Sequence, residues 1–189
     1  QMAEFDSISP TRIGSPFVVA AIEDLLAKAS DAKVVGYEAN GGFLLGFEYE
    51  AGGRTMAPLL TRDCVLPILA TLAASVEAQK TIAELVANLP PRFTAAERIA
   101  GVESEVSQKF LETLRSDRCN RSEFFAVDSE ESNVDSTDGL RVTFANGDIV
   151  HLRPSGNAPE FRCYAESDSQ ERSRTLVKEH LARVAQRLA

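Results

Sequence analysis

Two arginines, a serine, an asparagine and two stiffening prolines are gathered in Arg153-Pro154-Ser155-Gly156-Asn157-Ala158-Pro159-Glu160-Phe161-Arg162. That combination suits an oxyanion. Arg153 and Arg162 offer planar donor forks that match phosphate oxygens, Ser155 and Asn157 add neutral donors, and Gly156 lets backbone N–H groups approach an anion closely. Pro154 and Pro159 restrict the loop in advance, so less conformational entropy is lost when an anion docks. On residue chemistry alone, the same run also fits a polar connection between strands with surface arginines. A second candidate is Gly36-Tyr37-Glu38-Ala39-Asn40-Gly41-Gly42. A carboxylate such as Glu38 accepts two hydrogen bonds and Asn40 both donates and accepts, although a glycine-bounded acid is common in purely structural turns.

The residue inventory excludes several other chemistries. His151 and His180 are the only histidines, so a multi-histidine metal site cannot be assembled, and neither stands at a recognisable spacing from a Ser or Cys nucleophile. Beside the loop, His151 alternates with Val150 and Leu152 and reads as structural. Cys64, Cys119 and Cys163 are far apart and adjoin no histidine or lysine, which argues against a disulfide framework, a zinc knuckle or an activated thiol. A cytosolic origin follows as the simplest expectation. Twenty Lys and Arg against twenty-eight Asp and Glu give a net charge of −8, which disfavours nucleic-acid binding. No apolar run is long enough to cross a bilayer, and residues 1–10 are too polar and acidic for a secretory signal.

The 189 residues, 44% hydrophobic and 25% charged, have the composition of a globular protein of one large or two smaller domains. Ser15 as an N-cap with Pro16 behind it predicts a helix over 15–29, and a strand at 33–37 and an apolar run at 43–45 flank the glycine loop. Leu66, Leu69, Ala73 and Val76 predict a helix over 61–79 with Asp63 in its first turn, followed by a short helical stretch over 81–88. The change of character near residue 80 divides the chain into 1–80 and 81–189. In the second part a helix over 102–114, a strand at 123–127 and a solvated acidic loop at 128–138 are expected. Alternation at Leu140, Val142 and Phe144, the Asn146-Gly147 turn and a return over 149–153 predict a hairpin. Phe161, Cys163 and Ala165 alternate as a further strand. Asp168 with Glu171 resembles a capping box before a last helix whose exposed side carries Arg172, Arg174 and Lys178. This half reads as an α+β unit with helices packed on an antiparallel sheet.

The run Arg-Pro-Ser-Gly-x-x-Pro-x-x-Arg at 153–162 resembles the phosphate-binding loop in the C-terminal domain of the α-D-phosphohexomutases, the family of phosphomannomutase and phosphoglucomutase. Asp138-Gly139-Leu140-Arg141-Val142 before it and Tyr164-Ala165-Glu166 after it are similar to that loop's surroundings. Asn157 and Ala158 stand where the family usually has threonine and glutamate. Residues 36–42 resemble the family's Gly-x-Glu-x-Ser-Gly sugar loop, with Asn40 for serine, and Thr11-Arg12-Ile13-Gly14 resembles its Thr-x-Val-Gly segment.

The resemblance implies a partial α/β third domain over 1–80, followed over 81–189 by the family's fourth domain, an α+β fold like that of the TATA-box-binding protein. It implies sugar contacts from Glu38, Asn40 and Gly41 and phosphate contacts from Arg153, Ser155, Gly156, Asn157 and Arg162. The family's catalytic Ser-His-Asn-Pro loop and its Asp-x-Asp-Gly-Asp metal motif have no counterpart in the sequence. The expectation is therefore an inactive C-terminal fragment of a mutase that interconverts hexose 1-phosphate and hexose 6-phosphate. The Mg²⁺ and hexose 1,6-bisphosphate used by the full-length enzyme would not be bound by motifs of this chain. Self-association through residues 1–80 is expected of such a fragment. A non-catalytic sugar-phosphate or anion-binding module is the alternative.

Overall fold

Gly14, at a φ of 134°, turns the chain into the first helix, α1 (Ser15–Lys28). The computed structural model describes residues 5–38, 41–126, 129–156 and 158–188. Gly14 is the N-cap and Ser15 already lies in the helix, so the expectation that Ser15 caps it is corrected. The apolar stripe of α1 buries Val18 and Ile22 against Leu44. Strands β1 (Val35–Tyr37) and β2 (Phe43–Leu45) pair antiparallel. A side chain at Gly36 would meet Val18 at 2.3 Å, so glycine permits the close approach of helix to strand.

A small hairpin, β3 (Tyr49–Ala51) and β4 (Arg54–Met56), turns at Gly52-Gly53, both at positive φ. Strand β5 (Leu59–Asp63) then completes a three-stranded sheet in the order β1-β2-β5. The helix expected from residue 61 is thus shorter. Residues 61–63 pair with β2, and α2 (Val65–Glu77) starts where the Asp63 carboxylate accepts from the Val65 and Leu66 N–H groups. Thr81 and Glu84 form a reciprocal capping box at the head of α3 (Ile82–Ala87).

The chain separates into two units, Gln1–Leu89 and Pro90–Ala189, so α3 belongs with the first. The second unit is a five-stranded antiparallel sheet covered on one face by helices. It begins with β6 (Phe93–Ala100), α4 (Ser104–Ser116) and α5 (Arg118–Phe125). α5 occupies most of the stretch expected as a strand at 123–127. The Asp117 carboxylate accepts from the Cys119 and Asn120 N–H groups to start the helix, and Phe124 and Phe125 face the core from it. β7 (Glu131–Asp135) is a charged edge strand where a solvated loop was expected. It pairs with β8, and Glu131 meets Arg121 in a largely buried ion pair.

The hairpin β8 (Leu140–Phe144) and β9 (Ile149–Pro154), then β10 (Glu160–Ser167) and α6 (Gln170–Leu188), follow as expected. The Ser169 hydroxyl accepts from the Arg172 N–H at the start of α6, one residue past the Asp168 expected there. Arg172 is not simply an exposed charge, because its guanidinium pairs with buried Asp148 at 2.9 Å. The sheet order is β6-β10-β9-β8-β7. Phe161, Cys163, Ala165, Val150, Leu152, Leu140 and Val142 point into a core with Leu111, Leu114, Leu176 and Val184 of the helices.

Candidate functional site

The loop joining β9 to β10 closes on itself. Ser155 N–H donates to the Glu160 carbonyl at 2.8 Å, and Glu160 N–H donates to the Ala158 carbonyl at 2.8 Å. Its far side is tied down where the Pro159 carbonyl accepts from the Gly101 and Val102 N–H groups, in the turn between β6 and α4. Ser155 is buried, and among the described residues no atom beyond the chain neighbours lies within 4 Å of the position a Cβ would take at Gly156. Asn157, the remaining donor expected here, lies outside the described residues.

Arg153 and Arg162 are direct partners in the β9–β10 ladder, and Arg162 is in turn the partner of Arg98 on β6. Partners in an antiparallel pair project to one face, so three arginines form a row on the face away from the helices. Arg153 is the buried member, its side chain 8% exposed, and its Nε lies 3.1 Å from the Asp138 carboxylate. Among the described residues its Nε and Nη1 are both buried without a hydrogen bond, so Asp138 holds the guanidinium by charge at close range. An unmatched guanidinium N–H held away from water is costly, and an anionic oxygen would relieve that cost. Glu160 bridges the other two arginines, one oxygen 2.8 Å from Arg98 and the other 3.1 Å from Arg162. Hydrogen bonding with Tyr164 first, and with Glu160 next, holds Arg162 protonated more firmly than usual.

His151 donates from Nε2 to the Asp138 carbonyl, and burial pushes its pKa down against that hydrogen bond, so the ring is neutral near pH 7. It supports the turn that carries Asp138 and has no nucleophile to activate. Burial likewise pushes the Cys163 thiol up to about 12, which suits a packed, unreactive side chain.

In the first unit, Glu38 begins the glycine turn after β1. Glu38 N–H donates to the Gly42 carbonyl at 2.9 Å, and Gly41, at a φ of 88°, donates to the Glu38 carbonyl at 3.0 Å. The Glu38 side chain is only 7% exposed, with Arg62 Nε of β5 at 3.9 Å from Oε2. The Ser15 hydroxyl donates to the same oxygen at 3.1 Å. Gly42 keeps this corner open, since a Cβ there would sit 2.9 Å from Arg62 Cδ and 3.2 Å from Glu38 Oε2. Asn40 lies outside the described residues.

The phosphoglucomutase/phosphomannomutase C-terminal domain matches residues 72–183. The chain belongs to this family. Phosphomannomutase from Sinorhizobium fredii is 40% identical over 91% of the chain, and phosphomannomutase from Salmonella muenchen is 39% identical over 97% of it. The chain spans 36% and 38% of those relatives' lengths. A solved structure of a phosphoglucomutase/phosphomannomutase family protein from Burkholderia thailandensis shares the fold. It has a TM-score of 0.61 and 16% identity, and covers 92% of this chain and 31% of its own.

Several residues at these loops carried no mark in the sequence of the contacts they make. Ser15 looked like a helix cap, Arg62 like part of a helix, and Arg98 sits in a strand that went unread. Asp138 was visible only as part of the loop's flanking context. Among the described residues no three His, Cys, Asp or Glu side chains are grouped to hold a metal ion. No helix among them is long and apolar enough to cross a membrane.

Proposed function

We propose that this chain is the sugar-phosphate-binding C-terminal portion of a phosphomannomutase/phosphoglucomutase, with the phosphate loop in the second unit and a sugar-recognition loop in the first. The observation that carries the proposal is the buried Arg153 guanidinium, paired in charge with Asp138 and with Nε and Nη1 lacking hydrogen bonds among the described residues, beside the closed loop that starts at Ser155. In the reaction class this implies, a phosphoserine donates to the sugar, the bisphosphorylated sugar reorients, and the serine is rephosphorylated from the other end. A loop that grips the phosphate not undergoing transfer serves both half-reactions equally, and so does a carboxylate that holds the sugar hydroxyls. The contribution of Arg153, Ser155, Gly156 and Arg162 is thus binding and orientation. Phosphoryl transfer and Mg²⁺ coordination fall to parts of the parent enzyme that these residues do not provide, and the chain alone turns over no substrate.

Titration of inorganic phosphate and of mannose 6-phosphate into the native chain, followed by amide NMR, tests this proposal. Shifts at Ser155 and Gly156 with a dissociation constant on the order of 1 mM, about −4 kcal/mol, are expected. Loss of those shifts in Arg153→Ala supports the assignment. An unaltered response in that variant removes it, and hexose phosphate interconversion by a clean preparation of the chain overturns the division of labour.

A further inference from the structure

We propose that Ser15 is a positioning residue for Glu38, with Arg62 as a second anchor, so that one carboxylate oxygen is held by the protein and the other is presented to a sugar hydroxyl. The proposal rests on the reading of Glu38 as the sugar-recognition carboxylate.

Ser15 has the residue type of a helix cap at the head of α1, yet it does not cap. Gly14 supplies the carbonyl that accepts from the Phe17 and Val18 N–H groups, which leaves the Ser15 hydroxyl for another partner. That partner is Glu38 Oε2, 23 positions along the chain at 3.1 Å. The hydroxyl is therefore spent on a tertiary contact that fastens the glycine turn to α1. Arg62 reaches the same Oε2 from β5, at a distance where attraction is electrostatic and a direct hydrogen bond is absent. Both anchors fall on Oε2. They hold Oε2 in place, and Oε1 is the oxygen that the proposal assigns to a ligand.

Such fixing matters at this place because Glu38 follows a strand of three residues and opens a turn that contains Gly41 and Gly42, where the backbone itself is weakly restricted. A hydrogen bond to a sugar hydroxyl depends on distance and angle, so a carboxylate free to swing forfeits much of its selectivity. Two details agree with a built arrangement. The carboxylate is nearly enclosed, with its side chain 7% exposed, and the position of a Cβ at Gly42 is already filled by Arg62 and the carboxylate themselves.

The experiment uses the full 189-residue chain and two probes, mannose 6-phosphate and inorganic phosphate, with amide NMR reporting separately at Gly41-Gly42 and at Ser155-Gly156. In Ser15→Ala, mannose 6-phosphate is expected to bind about five-fold more weakly at Gly41-Gly42, the size of one lost hydrogen bond. Inorganic phosphate at Ser155-Gly156 is unchanged. Ser15→Thr retains the hydroxyl and restores binding, which a general packing defect would not allow. Arg62→Met, an exposed strand position, gives an independent loss of the same sign should Ser15→Ala fold poorly. Native-like titration of both Ser15→Ala and Arg62→Met, beside a weakened Glu38→Gln, overturns the positioning role alone. Native-like titration of Glu38→Gln overturns the sugar reading and this proposal with it.

Discussion

Asp138 Oδ2 stands 3.1 Å from Arg153 Nε, with the two side chains 19% and 8% exposed. The pairing aims the guanidinium. The carboxylate neutralises the guanidinium at close range while Nε and Nη1 both lack a hydrogen bond among the described residues, so the charge is stabilised with donors still unused. Replacing Arg153 with alanine should therefore have two separable effects. Phosphate shifts at Ser155 and Gly156 disappear, and the domain loses about 3 kcal/mol because a largely buried ion pair with Asp138 is broken. Arg153→Lys keeps the charge but not the fork, and should recover stability more than phosphate affinity. Urea unfolding and phosphate titration of the two variants separate these outcomes. Equal recovery of both would mean that the charge alone matters.

Gly139 sets the same corner from the backbone side. It adopts a φ of 79°, and a Cβ there would lie 2.2 Å from the Leu152 carbonyl oxygen and 2.6 Å from Arg153 Cβ. Gly139→Ala combines left-handed strain with a clash against backbone, so a cost of about 3 kcal/mol or more is expected, together with weaker phosphate binding. Gly156→Ala is the control, since among the described residues no atom beyond the chain neighbours lies within 4 Å of its Cβ position and unfolding should barely change. Chemical denaturation of the pair checks the contrast, and equal stabilities would show that the corner relaxes freely.

Arg121 carries the other buried ion pair. Its Nε and Nη2 bond the Glu131 carboxylate, and its Nη1 donates to the Leu114 carbonyl at 2.9 Å and the Arg115 carbonyl at 3.4 Å, so one side chain ties α5, β7 and the end of α4 together. Arg121→Ala should cost about 3–5 kcal/mol, while Arg98→Ala, at an exposed pair on the open face, should cost less than about 1 kcal/mol. Thermal and urea unfolding of the two variants decides this, and a cost near zero for Arg121→Ala would make the staple redundant.

These residues also show which parts of the molecule were readable from sequence and which were not. The β8–β9 hairpin was legible because alternation and an Asn-Gly turn are local signals that agree with each other. The connection between β9 and β10 was legible because strand patterns end and resume on either side of one proline- and glycine-bearing run. Glu131 was not, since a strand built from acidic residues is held by a neighbouring ladder and by Arg121, ten positions earlier in sequence. Phe124 and Phe125 favoured a strand on propensity, whereas the Asp117 cap and their place in the core made a helix. β6 was missed because Thr-Ala-Ala-Glu-Arg carries little β-propensity; its pairing with β10 along eight residues makes it a strand. Ser15 and Asp138 depend on partners 23 and 15 residues away, which no local pattern encodes.

Acidification should unfold the second unit in two stages, beginning with its histidines. Burial pushes the pKa of both His151 and His180 below the ordinary value near 6.5, with carbonyl hydrogen bonds opposing the shift. His180 is fully buried, Nδ1 facing the Leu176 carbonyl at 2.6 Å and Nε2 facing the Phe125 carbonyl at 3.2 Å, with Arg183 donating to the Phe125 carbonyl as well. Because the folded pKa values lie below the unfolded ones, the unfolded chain takes up protons first as pH falls past about 6.5. Stability that is full above that pH is therefore lost on acidification, with a limiting slope of about 1.4 kcal/mol per pH unit for each histidine. Asp148 continues the trend at lower pH. Burial raises its pKa, but hydrogen bonds from Ser167, Arg172 and Asn146 outweigh burial and leave it net lowered, so its contribution is present above the ordinary carboxylate value and lost as pH falls through the folded one. Urea unfolding between pH 7.5 and pH 3 should show a decline starting near pH 6.5 and a further one below about pH 4. His180→Gln should make the first decline shallower, leaving the share of His151, without altering the second, and Asp148→Asn should weaken the second without altering the first. A flat profile from pH 7.5 to pH 5 in the native chain would mean that both rings keep their protonation equilibria on folding, and the carbonyl contacts would then have to favour the charged form as strongly as burial opposes it.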